Sequence, residues 1–274
     1  MCRITAAISA RPADARDLLY GGPKSLLEQA GAVPGRFQDD GWGIARFGGR
    51  GGPAVTLSPG PARLERRAFE KAASGPARAV LAHLRDASNP GKLPKRLLIG
   101  RENTQPFSAG GLAFAHNGTL FIKDEVRSLL GKYAARVKGV NDSEVLFWQV
   151  MKMLDAYGSL TAALEMALDE IRTVWVSCRG RYPGLEAPYR GLNMFLSDGA
   201  ELAVLCHAPA WKKKALLTPG WGFGTIAWRR EKGRAVFSSE PADAGRWERM
   251  KDGEIASARA SGTGVKITFR KVLL

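Results

Sequence analysis

Four features of the sequence have the residue types and placement for acyl-transfer chemistry: Cys2, the Asn117-Gly118 pair, Arg85 and Asp142. A small side chain after the initiator methionine normally permits removal of that methionine, so the Cys2 thiol would share its residue with a free α-amine. An α-amine titrates near ~7.7–8.0 and a thiol near ~8.5, so the amine, directly or through a water, suits the role of base to its own side chain. An arbitrary cysteine here would be a small buried residue of a first strand; its position makes Cys2 a candidate nucleophile. Asn117-Gly118 between apolar runs is the leading sign of a tight hairpin turn. The same pair can aim a side-chain amide and a backbone N–H at one point, an oxyanion hole in which each donor is worth roughly 3–4 kcal/mol. Arg85 ends the run Val80-Leu81-Ala82-His83-Leu84, where a guanidinium facing a cleft would clamp a carboxylate through two hydrogen bonds. Asp142 reads first as a helix cap; in the same cleft it would hold an ammonium group. Together Arg85 and Asp142 would grip the α-carboxylate and α-amine of an amino acid, as a glutamine or γ-glutamyl pocket requires.

Periodicity supplies the elements that must position these groups. Cys2, Ile4, Ala6 and Ile8 alternate with Arg3, Thr5, Ala7 and Ser9, which predicts a strand from the terminus onward. Short helical stretches follow over 14–19 and 24–30, then a Gly- and Asp-rich loop leading into a strand over 42–47. Residues 48–53 read as a turn, 64–73 as a helix and 79–85 as a strand. Residues 86–110 predict a long irregular loop, a length usually tied to function. A strand over 112–120 running into a tight turn precedes helices over 123–133, 141–156 and 160–172. Strand-like runs then recur at 193–196, 202–206, 223–228, 235–237, 254–259 and 265–269. Strands, helices and strands again, with no flexible linker or internal repeat, imply two sheets and a helical layer in one domain spanning 1–274.

Composition excludes several classes. The 274 residues carry 41 Lys plus Arg against 26 Asp plus Glu, a net charge of +15, with 45% hydrophobic residues, as a chain with a real core does. No apolar run approaches the roughly 18 residues that cross a bilayer, and the opening segment lacks a signal core, so neither membrane insertion nor export is expected. Cys2, Cys178 and Cys206 show no CxxC spacing, and His83, His116 and His207 are scattered. Neither a disulfide framework nor a metal site is expected, and a reducing cytoplasm fits best. The basic excess is mostly arginine dispersed among apolar residues, with Lys212-Lys213-Lys214 the only run of three. Without a recognition helix or an aromatic RNA-binding motif, it reads as a solvated surface; nucleic-acid binding would rest on charge alone.

Six short motifs follow one another from the terminus: Met1-Cys2-Arg3-Ile4, Gly41-Trp42-Gly43-Ile44, His83-Leu84-Arg85-Asp86-Ala87-Ser88, Asn103-Thr104-Gln105-Pro106-Phe107, Phe114-Ala115-His116-Asn117-Gly118 and Asn141-Asp142-Ser143-Glu144. In this order they resemble the class II glutamine amidotransferases, which are N-terminal nucleophile hydrolases. The likeness covers residues 1 to about 150, and Ser238-Ser239-Glu240-Pro241 matches a later family element. The chain is most similar to the stand-alone bacterial subgroup that includes predicted amidotransferases and the γ-glutamyl hydrolase of ergothioneine synthesis.

The resemblance implies an α+β fold, a four-layer αββα sandwich of two mainly antiparallel sheets. It implies a glutamine amidotransferase or γ-glutamyl amidohydrolase that cleaves a linear γ-amide through a γ-glutamyl thioester, releasing glutamate and ammonia or an amine, without a cofactor. By position, Cys2 matches the nucleophile and its amine base, and Asn117 and Gly118 the oxyanion hole. Arg85, aided by Ser88, matches the holder of the substrate carboxylate, and Asp142 the ligand of its α-amine. Trp42 and Gly43 are expected in the pocket floor, and His116 in a structural role. The sequence departs from the family at Asp86, Asn89 and Gln105, and the insert Arg179–Glu186 is expected to modify access. One domain would fill the chain, so any ammonia would pass to a separate synthase or simply be released. A retained Met1 would block the amine, and the alternative reading is a catalytically silent binding or regulatory subunit of the same fold.

Overall fold

The alternation at the N-terminus becomes the central strand of a seven-stranded sheet, because its two faces are covered by different layers. This computed structural model describes residues 2–49, 51–208, 215–262 and 264–272; Met1 and the Lys212–Lys214 run lie outside the described residues. The strands are β1 (Arg3–Ala13), β2 (Trp42–Phe47), β3 (Ala54–Ser58), β4 (Ala77–Leu84), β5 (Phe107–Ala109), β6 (Leu112–Leu120) and β7 (Tyr189–Ser197). They continue as β8 (Glu201–Cys206), β9 (Ala227–Glu231), β10 (Arg234–Ser238), β11 (Glu248–Arg249), β12 (Glu254–Ser261) and β13 (Gly264–Lys271). The first sheet runs β11-β9-β10-β1-β4-β2-β3 and the second, of six strands, β13-β12-β8-β7-β6-β5. The pairings are antiparallel, with Ile4 opposite His83 across β1 and β4 and Asn117 opposite Asn193 across β6 and β7.

The helices are α1 (Arg16–Leu19), α2 (Leu26–Gln29), α3 (Arg66–Ala73), α4 (Lys95–Leu98), α5 (Lys123–Ser128), α6 (Asp142–Tyr157) and α7 (Leu160–Cys178). Three apolar cores separate the layers. Ile4, Ile8, Leu81, Phe195, Val204 and Phe237 meet between the two sheets. On the far side of the first sheet, Ile44 and Leu84 pack against Leu18, Leu26 and Phe69 of α1 to α3. On the far side of the second, Phe114, Met194 and Leu205 pack against Leu146, Val150, Leu164 and Leu168 of α6 and α7. Three stacked cores make four layers, so the expected αββα sandwich is the fold adopted.

Several local expectations give way to tertiary structure. Asn117-Gly118 makes no hairpin: β6 runs through it and pairs with β7, and the register shifts between Gly118 and Leu120. The helix expected over 123–133 ends at Ser128, and Gly131, with φ of +56°, opens a 3-10 segment instead. The strand expected over 223–228 starts only at Ala227, because the Phe223 ring is taken up against Arg3. The loop over 86–110 contains α4 and β5, and β3 had no clear periodic signal. Asn141, and not Asp142, caps α6, its side-chain oxygen accepting from the Glu144 N–H at 2.8 Å. Gly158, at φ of +67°, ends that helix. No helix among the described residues is long and apolar enough to cross a membrane.

Candidate active site

The site lies at one end of the layer between the sheets, where three strands change from apolar to polar on the same face. On β1 the inward series Ile8, Ala6, Ile4 is completed by Cys2; on β4 Ala79 and Leu81 lead to His83 and Arg85; on β6 Ala113 and Ala115 lead to Asn117. Side chains two residues apart share a strand face, so each strand delivers its polar residue to the same end. Cys2, Arg85, Ser88, Asn117, Gly118 and Asp142 all line one cavity of about 390 Å³. The site-residue expectations made from the six motifs therefore converge, except at the pocket floor.

Trp42 is the correction. Its ring packs edge-on against Phe69 in the core beneath the helices, and its indole N–H donates to Glu65 at 2.7 Å, so it turns away from the cavity. Being even-numbered on β2, beside Ile44, it belongs to the outer face of the sheet. Gly43 does not line the cavity either; a Cβ there would overlap the Gln105 carbonyl oxygen, and its bareness lets the 105–106 segment pack over β2. Gln105 does line the cavity.

Each functional side chain is held in a distinct way. The half-buried Cys2 thiol points to the Asp86 carbonyl at 3.7 Å. Burial pushes the thiol above its ordinary range; the positive amino terminus, Arg85 and Arg3 pull it back, and Asp142 adds to the rise. Arg85 is buried and donates to the Leu98 carbonyl at 2.7 Å and the Asp40 carbonyl at 3.3 Å. The Asp40 carboxylate accepts from the Ala87 N–H at 2.9 Å, and the Thr119 hydroxyl donates to Ser88 at 3.1 Å, which fixes the turn after β4 against β6. Asp142 accepts from the Leu120 N–H at 2.6 Å. Asn117 is 2% exposed, yet neither its nitrogen nor its oxygen has a hydrogen-bond partner among the described residues. Leaving a buried amide unpaired costs about 1–3 kcal/mol, an expense that folding alone does not explain. At Gly118 a Cβ would overlap the Gly191 carbonyl oxygen and the His116 ring, so the residue is required for space.

His116, expected in a structural role, lines the cavity and is tied to its neighbours. Its ring lies between the Ser143 hydroxyl at 3.0 Å and the Gly191 carbonyl at 3.5 Å, and burial lowers its pKa, keeping it neutral. The Gln105 side chain bonds both the N–H and the carbonyl of His116, at 2.6 and 3.3 Å, so the departure at Gln105 serves to seat β6. His83 is buried with no partner for either ring nitrogen among the described residues, and burial holds it well below its ordinary pKa.

Sequence reasoning quoted Arg3, Ser239 and Glu240 within motifs but gave them no role; they hold the strand carrying Cys2. Arg3 is fully buried; its Nε donates to the Cys2 carbonyl at 3.0 Å, and its guanidinium stands 4.0 Å from the Phe223 ring centroid and 4.0 Å from Glu240. Burial pulls Arg3 down to about 10, opposed by Glu240, so it remains charged at neutral pH. Glu240 also accepts from the Leu216 and Leu217 N–H groups at 2.9 and 3.1 Å. Ser239 pairs with Ile4 through its hydroxyl and its N–H, at 2.9 and 2.8 Å. The Ser238–Pro241 motif thus clamps β1. Glu240→Ala leaves Arg3 charged and buried without its acid, and is expected to lower unfolding free energy by about 3–5 kcal/mol in urea titration. A change below 1 kcal/mol would contradict this role.

The raised thiol has its own consequence. In the chain that keeps Met1, a thiolate that forms late makes Cys2 alkylation by iodoacetamide accelerate with pH through and beyond ~8.5, followed by mass spectrometry of the Cys2 peptide. A rate already level below pH 7 would show the opposite electrostatic balance.

Residues 25–271 match the family model for class-II glutamine amidotransferases. The chain belongs to that family. Among curated proteins none matches. Among solved structures, a glutamine aminotransferase class-II domain protein of Silicibacter pomeroyi superposes with a TM-score of 0.66 at 18% identity, covering 100% of both chains. The glutamine phosphoribosylpyrophosphate amidotransferase of B. subtilis, solved with ADP and GMP, gives 0.64 at 16%, covering 97% of this chain and 49% of that one. The chain thus spans about half of that enzyme's length. A predicted glutamine amidotransferase of Pseudomonas aeruginosa gives 0.52 at 20%, covering 96% and 99%. At these identities the likeness is one of fold. The two-sheet sandwich of this chain is the fold these structures share.

Proposed function

We propose that this amidotransferase hydrolyses the γ-amide of glutamine or of a γ-glutamyl compound, with Cys2 as nucleophile once Met1 is removed. The observation that carries the reading is the buried, unpartnered Asn117 amide on a cavity wall shared with Cys2, Arg85 and Asp142. In the proposed reaction Arg85, with Ser88, binds the α-carboxylate and Asp142 the α-ammonium, which fixes the γ-carbonyl over Cys2. The thiolate adds to that carbonyl, and the Asn117 amide and the Gly118 N–H stabilise the oxyanion. The C–N bond breaks as the α-amine, having taken the thiol proton, delivers it to the leaving nitrogen. Water then attacks the γ-glutamyl thioester, releasing glutamate and restoring the thiol. Ammonia is released, or taken up by a separate synthase.

Intact-mass spectrometry before and after 6-diazo-5-oxo-norleucine tests this directly. A chain lacking Met1 that gains one adduct on Cys2, and releases glutamate from glutamine, is the expected result. A chain that keeps Met1, or refuses the label without it, would favour the silent binding subunit instead.

A further inference from the structure

The cavity has a second wall that a glutamyl group does not use. Beyond the residues proposed to grip glutamate, it is lined by the apolar side chains of Leu93 from the loop after β4, Phe121 after β6, and Tyr182 and Leu185 from the insert between α7 and β7, with Lys123 and Asp124 at the same wall. The insert is built to hold a shape. Tyr182-Pro183-Gly184-Leu185 closes on itself with the Leu185 N–H donating to the Tyr182 carbonyl at 3.2 Å, and Gly184 has φ of +89°. Proline followed by a left-handed glycine is the signature of a type II turn, which sets the first and fourth side chains of the turn side by side. Here those are Tyr182 and Leu185, and both reach the cavity. The Tyr182 ring is braced 6.1 Å from the Trp175 ring, and the Glu125 carboxylate that faces it pairs with Arg181 at 3.4 Å. An apolar wall held this firmly is prepared for an apolar ligand group, because little conformational freedom remains to be lost on binding.

Glutamine has nothing apolar to place there. Once Arg85 holds the α-carboxylate and Asp142 the α-ammonium, the amide nitrogen is the position left from which a substrate can extend. We infer that the substrate is a γ-glutamyl amide whose leaving amine carries an apolar group of about aromatic size, seated against Leu93, Phe121, Tyr182 and Leu185. The inference rests on the Cys2 reading above and goes further by choosing an amine over ammonia as the product. The bonds are those already described: the γ-carbon exchanges nitrogen for the Cys2 sulfur, the thiol proton carried by the α-amine of Cys2 leaves on the amine, and water regenerates the thiol. The product is an amine, so the reaction that supplies the substrate must be a γ-glutamylation of that amine.

The test compares kcat/KM for γ-glutamylphenethylamide and γ-glutamylmethylamide, two alkyl amides that differ in the ring, with the processed protein. Burial of the ring is expected to raise kcat/KM roughly 10-fold or more. Leu185→Asp, which puts a charge on the wall at a partly exposed turn, should bring the ratio toward one, as should Tyr182→Ala. Tyr182→Phe, which keeps the ring, should preserve the ratio. Equal kcat/KM for the two amides, or a ratio unmoved by Leu185→Asp, overturns the inference. Labelling of Cys2 by 6-diazo-5-oxo-norleucine separates the two failures: labelled enzyme with no preference defeats this inference alone. Enzyme that neither labels nor cleaves any amide defeats the Cys2 reading and this one with it.

Discussion

Cys2→Ala should bring glutamate release from glutamine down to the uncatalysed background, a loss of about 10⁴-fold or more, as removal of a covalent nucleophile does in hydrolases. Every bond of the proposed sequence passes through the Cys2 sulfur, and the other two cysteines are buried in different cores, Cys178 at the end of α7 and Cys206 between the sheets. Neither can substitute. Glutamine binding should survive, because Arg85 and Asp142 are anchored by the Leu98 carbonyl and the Leu120 N–H and not by the thiol. Calorimetric titration of the variant with glutamine should therefore still show binding while the ammonia assay is flat. Hydrolysis above background in Cys2→Ala would sink the mechanism.

Asn117→Ala should lower kcat by about 10²–10³ through loss of one oxyanion donor, about 3–4 kcal/mol, with little change in KM. The same substitution should leave Tm unchanged or raise it. Most buried polar truncations destabilise because a partner is left unpaired, but the Asn117 amide has no partner to abandon. A residue that costs stability and contributes rate is the mark of a site selected for chemistry. Thermal unfolding beside steady-state kinetics checks both signs. A variant that loses stability and retains its kcat would make Asn117 structural. Its neighbour behaves differently: the Cβ of Gly118→Ala would meet the Gly191 carbonyl across β6 and β7, so that variant should lose folded yield first.

Periodicity read best where one strand face sees one environment. The alternation Cys2, Ile4, Ala6, Ile8 located β1 because one of its two buried faces is apolar and the other carries Arg3, Thr5 and Ser9, and the helical spacing of Val145, Leu146 and Val150 located α6 because it records burial. β5, of three residues, is too short to carry a period, and its strand character comes from pairing with β6. The Asn117-Gly118 pair shows propensity losing to context. Locally it favours a turn, but β7, about 70 residues on, offers β6 a full ladder that outweighs the turn.

By itself the sequence determined which residue types were present for the chemistry, and in what order. Cys2, Arg85, Ser88, Asn117, Gly118 and Asp142 were recognisable as candidates from short motifs because the acyl transfer proposed for them demands a nucleophile, two oxyanion donors and opposite charges for an amino acid's two ends. Only the tertiary structure decided which of them share a cavity and which do not. Trp42 and Gly43 sit in the same motif, yet the two-residue period of β2 sends Trp42 to the opposite face of the sheet, where Phe69 covers it. Arg3 and Glu240 are separated by most of the chain and meet because β10 pairs with β1. Tyr182 and Leu185 reach the cavity because the end of α7 brings their turn over it. Such placements depend on sheet pairing and layer order, which arise from contacts distant in sequence and leave no mark in local residue spacing.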